Sequence, residues 1–307
     1  MFIGSNIKGL MKILIKLLLS ILVVMLITFL GIEQLSGDVA DIIAGTEGDA
    51  QQIRNQMGLN QSVISRFFWW VNAVAQGNFG NSLIFEVPVI DIVNERILIS
   101  APIALFAFLI SISLGLLLGI ISVVSNNSFW NNIIILMISF PVVWLSLLFI
   151  MIFSLSLNIL PSGGIGMWQH YLMPCLALGI SQAGVFARYV RVGLLEIQNS
   201  DFIHFYQVVG FSKVHVLLKY GLPAISGSLL SIIGLQIGFL FTGIVVVEHI
   251  FAMPGIGDLL YQAILKRDVF LAGYIVMKSA LFIILINSIV DFIAYIITPS
   301  LRKGYNA

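Results

Sequence analysis

The sequence predicts an all-α integral membrane protein with six transmembrane helices and both termini in the cytoplasm. Two observations carry this prediction. First, the 307 residues include only 15 Lys or Arg and 14 Asp or Glu, while 59% are apolar and the mean hydropathy is +1.06. Soluble domains carry roughly 25% charged residues. Second, residues 97–187 contain no charged side chain, and a bilayer-spanning helix needs about 20 mostly apolar residues. A water-soluble globule, a disordered chain and a coiled coil are therefore excluded.

Six apolar segments are long enough to span a bilayer. The predicted spans are about 13–32, 97–124, 133–155 (with Pro141 inside it), 171–190, 224–247 and 270–297. A basic stretch also precedes the apolar core of a secretory signal peptide. The first segment is long for such a core, however, and no clear cleavage site follows it. We therefore expect a retained span. The chain is then divided into the N-terminal tail with the first span (1–32), an outer region (33–96), a core of five helices (97–300) and a C-terminal tail (301–307).

The region 33–96 has no segment that is long and apolar enough to span. It holds eight acidic residues: Glu33, Asp38, Asp41, Glu47, Asp49, Glu86, Asp91 and Glu95. Within it, apolar side chains recur at helical spacing at Phe67, Trp70, Val71 and Val74. This stripe predicts a short helix that lies on the membrane or on the rest of the protein.

The charge distribution predicts the orientation of the spans. One side carries nine Lys or Arg against two acidic residues, or +7, and the other carries five against eleven, or −6. The nine are Lys8, Lys12, Lys16, Arg188, Arg191, Lys213, Lys219, Arg302 and Lys303. Because positive residues are retained in the cytoplasm, we expect the termini and residues 188–223 inside, and residues 33–96 outside.

The sequence contains no recognisable catalytic, nucleotide-binding or metal-binding motif. It contains no phosphate-binding GxxxxGK[ST] loop, no HExxH and no His/Cys cluster with metal spacing, so neither an enzyme nor a bound cofactor is predicted. Cys175 lies in an apolar stretch and reads as an inert packed thiol. Lys278 and Asp291 are the two charges inside the last predicted span. They lie about 20 Å apart along one helix, so we expect snorkelling or bonds to neighbouring spans rather than a relay.

The polar segment 188–223 is too long for a tight connection. An apolar face at Phe202, Phe205 and Tyr206 predicts a short helix that Gly210 ends. A second helix over residues 212–220 is predicted to end at Leu222 and Pro223. Such a pair on the cytoplasmic side is consistent with a docking element and also with a solvated connector.

The end of this segment resembles a known motif. Gly210, followed after nine residues by YGLP (220–223), is similar to the second half of EAA-xxx-G-x9-I-x-LP, the motif of the membrane subunits of binding-protein-dependent ABC importers. The sequence departs from it at His204, Phe205 and Tyr206, which replace EAA, and at Tyr220, which replaces Ile.

Further segments resemble the peptide/nickel permease branch of that family. Residues 245–268 (VVVEHIFAMPGIGDLLYQAILKRD) are similar to its VVE-x-IF-x-WPG-x-G…AI-x-RD signature, with Met253 where Trp is usual. Residues 57–82 are similar to its LGL-x-x-P…G-x-x-G-x-S stretch, without the Pro. Other matching positions are 159–164 (ILPSGG), 187–191 with Glu196, Asn287, Asp291, Pro299 and Arg302. The resemblance covers nearly the whole chain.

The resemblance implies an importer permease of the type I fold, in the bacterial cytoplasmic membrane. It implies a second homologous permease subunit, two ATP-binding subunits that hold ATP and Mg, and an extracytoplasmic solute-binding protein as partners, with no nucleic acid. The ATPase-coupling residues would lie in helices at about 192–222: Asp201, His204, Phe205, Tyr206, Gly210, Phe211, Ser212, Leu222 and Pro223. The extracytoplasmic signature residues are Glu248, Pro254, Gly255, Gly257, Arg267 and Asp268.

Two questions stay open at the level of sequence. A secondary transporter or channel is the alternative function, but it would need a polar relay through several spans, and the central spans carry no charge. The substrate is a small peptide or a nickel-type metal complex. The outer side offers His170, His249, Met167, Met173 and Met253 to a metal complex, although such scattered residues more often pack or cap.

Overall fold

The computed structural model describes residues 2–35, 61–125 and 127–297. The helices in that part of the chain are α1 (Phe2–Leu35), α2 (Val63–Ala75), α3 (Val89–Val124), α4 (Ser128–Ser139), α5 (Val142–Phe149), the π-helix π1 (Ile150–Ser156), α6 (Gln169–Gln198), α7 (Asp201–Val208), α8 (Lys213–Val216), the π-helix π2 (Leu217–Gly221), α9 (Leu222–Ile250), α10 (Ile256–Leu265) and α11 (Val269–Ile297). The same residues include no β-strand, only one isolated bridge between Asn81 and Pro88.

Several predicted features lie outside the described residues. These are the acidic residues Asp38, Asp41, Glu47 and Asp49, and Pro299, Arg302 and Lys303 near the C-terminus.

The centre of the fold is the pair α3 and α6, which pack along each other. Small residues make this approach close, because a Cβ on Gly119 would overlap Val190 and one on Gly179 would overlap Ile110. Small residues at helix interfaces are the usual route to close packing in membranes. Helix α9 packs on α6 and α11, and α1 packs along α11. The first and last of the described helices are therefore neighbours in the bundle.

Four helical segments are long and apolar enough to cross a membrane: Ile13–Ile32 within α1, α3, the continuous helix Lys213–Ile250, and α11. A fifth is added if α4 and the helix Val142–Ser156 count as one bent span. Helix α6 contains the predicted fourth span, but it is less apolar because it includes Gln182, Arg188 and Arg191. The described residues are thus mostly helical and carry four or five candidate spans, as expected for a multi-pass membrane protein.

The predicted third span is not one straight helix. Residues 133–155 are divided between two helices that meet at an angle of 94°. The break lies at Phe140, which has an extended backbone (φ −86°, ψ 113°), and at Pro141 (φ −60°, ψ 146°). Proline disfavours the helical conformation of the preceding residue and cannot donate a helical hydrogen bond. Pro141 therefore ends α4, and the apolar segment continues beyond it as α5 and π1.

Two further boundaries differ from the prediction. Residues 248–269, which connect the predicted fifth and sixth spans, contain the helix α10, which buries Leu259, Leu260 and Ala263. Helix α3 begins at Val89, within the predicted outer region 33–96. Both segments are too short or too polar to show as spans, so hydropathy alone assigns them to loops.

The predicted amphipathic helix in the outer region is confirmed as α2. Its Ser62 side chain accepts a hydrogen bond from the backbone N–H of Ser65 (3.2 Å) and so caps the N-terminus. Trp70 and Val74 pack against the buried cluster around Leu271 and Tyr274, and Phe67 contacts Phe29 of α1. The predicted stripe therefore lies on the rest of the protein.

Candidate functional site

The segment predicted to be cytoplasmic contains α7, which has one fully buried side chain and several exposed ones. Ile203 is fully buried, whereas His204 and Phe205 are exposed and Val208 is 86% exposed. Asp201 stands in the first turn, where a negative charge is favourable near the helix N-terminus. Helix α7 thus carries exposed apolar side chains at Phe202, Phe205 and Val208.

The turn after α7 depends on Gly210. Its φ of +102° lies in the region that residues with a Cβ rarely adopt, and a Cβ built there would meet nothing within 4 Å. Two residues later, the Ser212 side chain accepts a hydrogen bond from the backbone N–H of His215 (3.3 Å) and caps α8. Gly210 and Ser212 thus reverse the chain and start the next helix, as the sequence predicted for Gly210.

The second predicted cytoplasmic helix does not end at Leu222 and Pro223. Instead α8, π2 and α9 form one continuous helix, Lys213–Ile250. The backbone N–H of Leu222 bonds the carbonyl of Leu217, five residues back, so the helix widens by one residue where Pro223 has no N–H to donate. The prediction of a separate helix over residues 212–220 is therefore wrong, because this π-turn lets the helix accommodate the proline.

An aromatic cluster joins α7 to the base of α9. The rings of Tyr206 and Tyr220 are stacked, with centroids 4.0 Å apart and planes 11° apart. Phe211 lies edge-on to Tyr206 at 6.0 Å and stacks on His215 at 5.2 Å. These contacts and Ile203 hold α7 against the continuous helix.

Two basic side chains fasten this region to α3. Lys213 Nζ donates to the carbonyl of Val123, and Arg191 Nη1 donates to the carbonyl of Ser122, both at 2.8 Å. The last carbonyls of a helix have no partner within that helix. Cations are also favoured at its negative end. Arg191 and Lys213, two of the basic residues from which the cytoplasmic side is predicted, thus also form hydrogen bonds within the fold.

The residues of the predicted extracytoplasmic signature are organised around Glu248, which is fully buried near the C-terminal end of α9. Its Oε2 accepts hydrogen bonds from the backbone N–H groups of Gly257 (2.7 Å) and Asp258 (3.2 Å), in the first turn of α10. The Ser100 hydroxyl of α3 donates to Oε1 and itself accepts from the N–H of Ile256. One carboxylate therefore joins three helices and satisfies the N-terminus of α10.

The Pro-Gly part of the signature provides the space for that carboxylate. A Cβ on Gly255 would overlap the Glu248 carboxylate, and one on Gly257 would overlap the backbone of Val245. The carbonyl of Pro254 accepts a hydrogen bond from Arg96 Nη1 (2.9 Å). Met253 is fully buried beside Phe251. These residues form a packed corner at the outer end of α9.

The Arg-Asp end of the signature forms a second corner. Asp268 is fully buried and accepts hydrogen bonds from the Ser82 hydroxyl, the N–H of Ile84 (3.2 Å) and the N–H of Leu271 (3.0 Å). It therefore caps α11 and ties it to the outer segment that contains Ser82. Arg267 is exposed and has a φ of +58°, as the turn before Asp268 requires.

The two predicted sets of site residues lie at opposite ends of one helix. The predicted coupling residues precede α9 or lie in its first turn, and the predicted signature residues lie in its last turn or after it; α9 itself is about 40 Å long for 29 residues at 1.5 Å each. No catalytic constellation forms in either place. Among the described residues, no group of three or more His, Cys, Asp or Glu is arranged to hold a metal ion.

Comparison with known proteins identifies the family. Residues 111–303 match the family of the binding-protein-dependent transport system inner membrane component. The glutathione transport system permease protein GsiC of Escherichia coli K12 is 34% identical over 284 residues, which are 90% of this chain and 93% of GsiC. GsiC of Shigella dysenteriae matches equally well. The chain belongs to the inner-membrane permease family of binding-protein-dependent ABC importers.

The fold of the permease agrees with this assignment. A structure from a study of inward-facing conformations of the MetNI methionine ABC transporter superposes with a TM-score of 0.52 and 21% identity. The match covers 68% of this chain and 96% of that one. The permease is therefore a multi-pass protein of the bacterial cytoplasmic membrane, and its relatives are transport subunits rather than enzymes.

The charges within the spans of the permease serve as structural bonds, as predicted. Lys278 Nζ donates to Asn94 Oδ1 of α3, and Lys16 Nζ donates to Asp291 Oδ2, both at 2.7 Å. Both partners come from other helices. Charges engaged in this way leave no chain of groups for a proton or ion relay.

Sequence reasoning missed the partners of the predicted residues. Ser82, Arg96 and Ser100 bond the signature residues, and Arg191 and Lys213 bond α3. Each lies tens of residues or more from its partner along the chain, so no local pattern marks the pair. The one available signal was Ser100, which lies inside the predicted span 97–124, where a hydroxyl needs an acceptor.

Proposed function

We propose that this permease is one of two membrane subunits of an ATP-driven importer for small peptides. In this proposal two ATPase subunits bind ATP and Mg and dock on α7 from the cytoplasm. A second homologous permease subunit completes the pathway, and a solute-binding protein delivers the substrate outside. The continuity of α8, π2 and α9 carries the proposal, because a push on α7 is passed into a helix long enough to span the bilayer.

The proposed coupling is mechanical. Closure of the ATPase pair moves α7, and the stack between Tyr206 and Tyr220 passes this displacement to the base of α9. The far end of α9 carries Glu248, which is bonded to both α10 and α3. A tilt of α9 therefore reaches the outer face through a buried hydrogen-bonded corner, and access alternates between the two sides.

The proposed topology retains six spans with both termini in the cytoplasm. The four or five apolar helices become six if α6 and the bent pair each cross the membrane. The basic cluster around Arg191 and Lys213 then lies inside. A Cys175→Ser chain with a single Cys at Asn78 is expected to react with an impermeant maleimide in intact cells whose outer membrane, where present, has been made permeable. A Cys at Ser212 is expected to react only after lysis, and the reverse pattern would overturn this orientation.

Peptides are favoured over nickel complexes as substrate. GsiC, a relative at 34% identity, carries glutathione transport in its name, and glutathione is a small peptide. Of the outer candidates for metal contact, Met173 and Met253 are buried in the core, His170 bonds its own turn at Met167, and His249 pairs with Asp258 at 3.2 Å. These residues serve packing and local bonding instead of forming an open metal site.

Purification of the complex tests the proposed function. The chain alone is expected to show no ATP hydrolysis, and co-expressed partner ATPases are expected to remain bound to it. Proteoliposomes with the complete complex and its binding protein are expected to take up labelled glutathione or a dipeptide, but not a nickel–histidine complex. Substrate gradients that drive uptake without ATP would instead support the secondary transporter, which the bonded charges at Lys278 and Asp291 do not favour.

A further inference from the structure

Two departures from the importer motif meet each other in the fold. Tyr206 occupies the third of the leading EAA positions, and Tyr220 occupies the Ile position. The two tyrosines are 14 positions apart in sequence, and their rings form the closest and most parallel stack among the described aromatic pairs, at 4.0 Å and 11°. A small residue at position 206 would leave the Tyr220 ring without this partner, and Ile at position 220 would leave the Tyr206 ring without one.

Helix α7 has few other attachments. Its main packing neighbours are the end of α6, α8 and π2. Ile203 is its only fully buried residue, and only Tyr206 and Gln207 are partly buried. The remaining side chains of α7 are exposed. The position of α7 relative to the long helix therefore depends on Ile203 and on the tyrosine stack.

We infer that Tyr206 and Tyr220 act as a matched positioning pair that fixes α7 on the base of α9, in place of the Ala and Ile of the family motif. The inference rests on the proposed function only for its consequence in transport. Interaction with the Tyr220 side chain raises the pKa of Tyr206 above its ordinary value, in agreement with the stacked geometry of the two groups. Lys219 Nζ lies 5.7 Å from the centre of the Tyr220 ring and adds to the cluster.

A double-mutant cycle tests the pairing without any ATPase. Ile203→Cys in a Cys175→Ser chain in lipid nanodiscs reports the release of α7 through its rate of maleimide labelling. Tyr206→Ala and Tyr220→Ile are each expected to raise that rate by about two- to tenfold, the range expected for loss of one aromatic pair. The double variant restores the Ala and Ile of the motif and is expected to label within about twofold of the parent.

Conservative variants and the complete complex separate positioning from simple folding. Tyr206→Phe keeps the ring and is expected to label as the parent does. In the assembled importer, each single variant is expected to lower the stimulation of ATP hydrolysis by the binding protein by about two- to tenfold, and the double variant to recover it. Amounts of inserted chain should be equal in all variants.

Either of two results would overturn the pairing. One is a labelling rate in the single variants equal to that of the parent chain. The other is an effect in the double variant equal to the product of the single effects. The labelling rates could change as expected while ATP hydrolysis is the same in all variants. In that case the pair positions α7, and the proposed coupling route is contradicted instead.

Discussion

Lys16 of α1 and Asp291 of α11 form an ion pair, with Nζ and Oδ2 2.7 Å apart across 275 residues of sequence. The Asp291 side chain is 26% exposed and that of Lys16 is 67% exposed. The pair borders a cavity of about 390 Å³ that is also lined by Ser20, Ser231, Asn287 and Ser288. The first and last helices of the chain are thus joined by charge as well as by packing.

Reversal of one charge in this pair is expected to destabilise the protein. Lys16→Glu places a carboxylate beside Asp291 and should lower the free energy of unfolding by about 1 kcal/mol, near the upper end for accessible pairs. The exchange Lys16→Glu with Asp291→Lys should recover most of the loss. Thermal unfolding in nanodiscs measures both. Lys266→Glu, at an exposed position outside the bundle, is the matched control and should change little.

Loss of the buried carboxylate of Glu248 is expected to be more severe. Glu248→Ala leaves the N–H groups of Gly257 and Asp258 and the Ser100 hydroxyl without an acceptor. Each unsatisfied buried group costs about 1–3 kcal/mol, so a loss of at least about 3 kcal/mol is expected. Glu248→Gln keeps one acceptor oxygen and should fall between. Urea unfolding in detergent checks the order, with exposed Glu95→Gln as control; equal stability of Glu248→Ala and the parent would contradict the role of this carboxylate.

The corner at Asp268 should show coupling with Ser82. Ser82→Ala removes one hydrogen bond to a charged acceptor, worth about 1.5–3 kcal/mol. Asp268→Ala also frees the N–H groups of Ile84 and Leu271 and should cost more. The two losses should not add, because the residues share one bond. Chemical denaturation of the single and double variants measures this, and full additivity would show that the two side chains act independently. Asp91→Asn, exposed in the first turn of α3, serves as the control.

Replacement of Gly210 is expected to separate transport from insertion. A side chain at its φ of +102° strains the turn by about 1–2 kcal/mol. Gly210→Asp adds a charge on the proposed docking surface. Uptake should be abolished and ATPase retention weakened, while the inserted amount stays normal. Gly210→Ala shares the strain and should be milder, and Gly77→Asp, an exposed outer glycine with a φ of +79°, should transport normally. Normal transport by Gly210→Asp would refute the docking role.

The class of the protein could be predicted from the sequence, because hydropathy and charge distribution are properties summed over many residues. The segment 13–32 and the helix over 270–297 match their predicted bounds closely. The short helix α2 was evident from its stripe at Phe67, Trp70, Val71 and Val74, since helical periodicity is a local property. The turn at Gly210 was evident for the same reason. Family motifs located both candidate sites without any information on contacts.

The backbone conformation at Pro141 and at Pro223 could not be predicted from the sequence and is known only from the structure. Pro141 breaks a long apolar segment by 94°, whereas Pro223 is accommodated within a continuous helix. The same residue type gives opposite outcomes because a π-turn supplies the bond from Leu222 to Leu217 before Pro223. At Pro141, the preceding Phe140 adopts an extended conformation instead. Local sequence does not decide between these alternatives, because a break in the helix and a π-turn both avoid the hydrogen bond that proline cannot donate.

By itself, the sequence determined that this protein lies in a membrane, which segments are apolar enough to enter it, and which family it belongs to. Only the tertiary structure decided that Ser100 meets Glu248, that Ser82 meets Asp268, and that Tyr206 stacks on Tyr220. The first set of facts depends on the free energy of transferring each segment from water to the bilayer, which the residues of that segment set by themselves. The second depends on which distant segments are brought together, and a buried polar group is satisfied only by the partner that the fold places beside it.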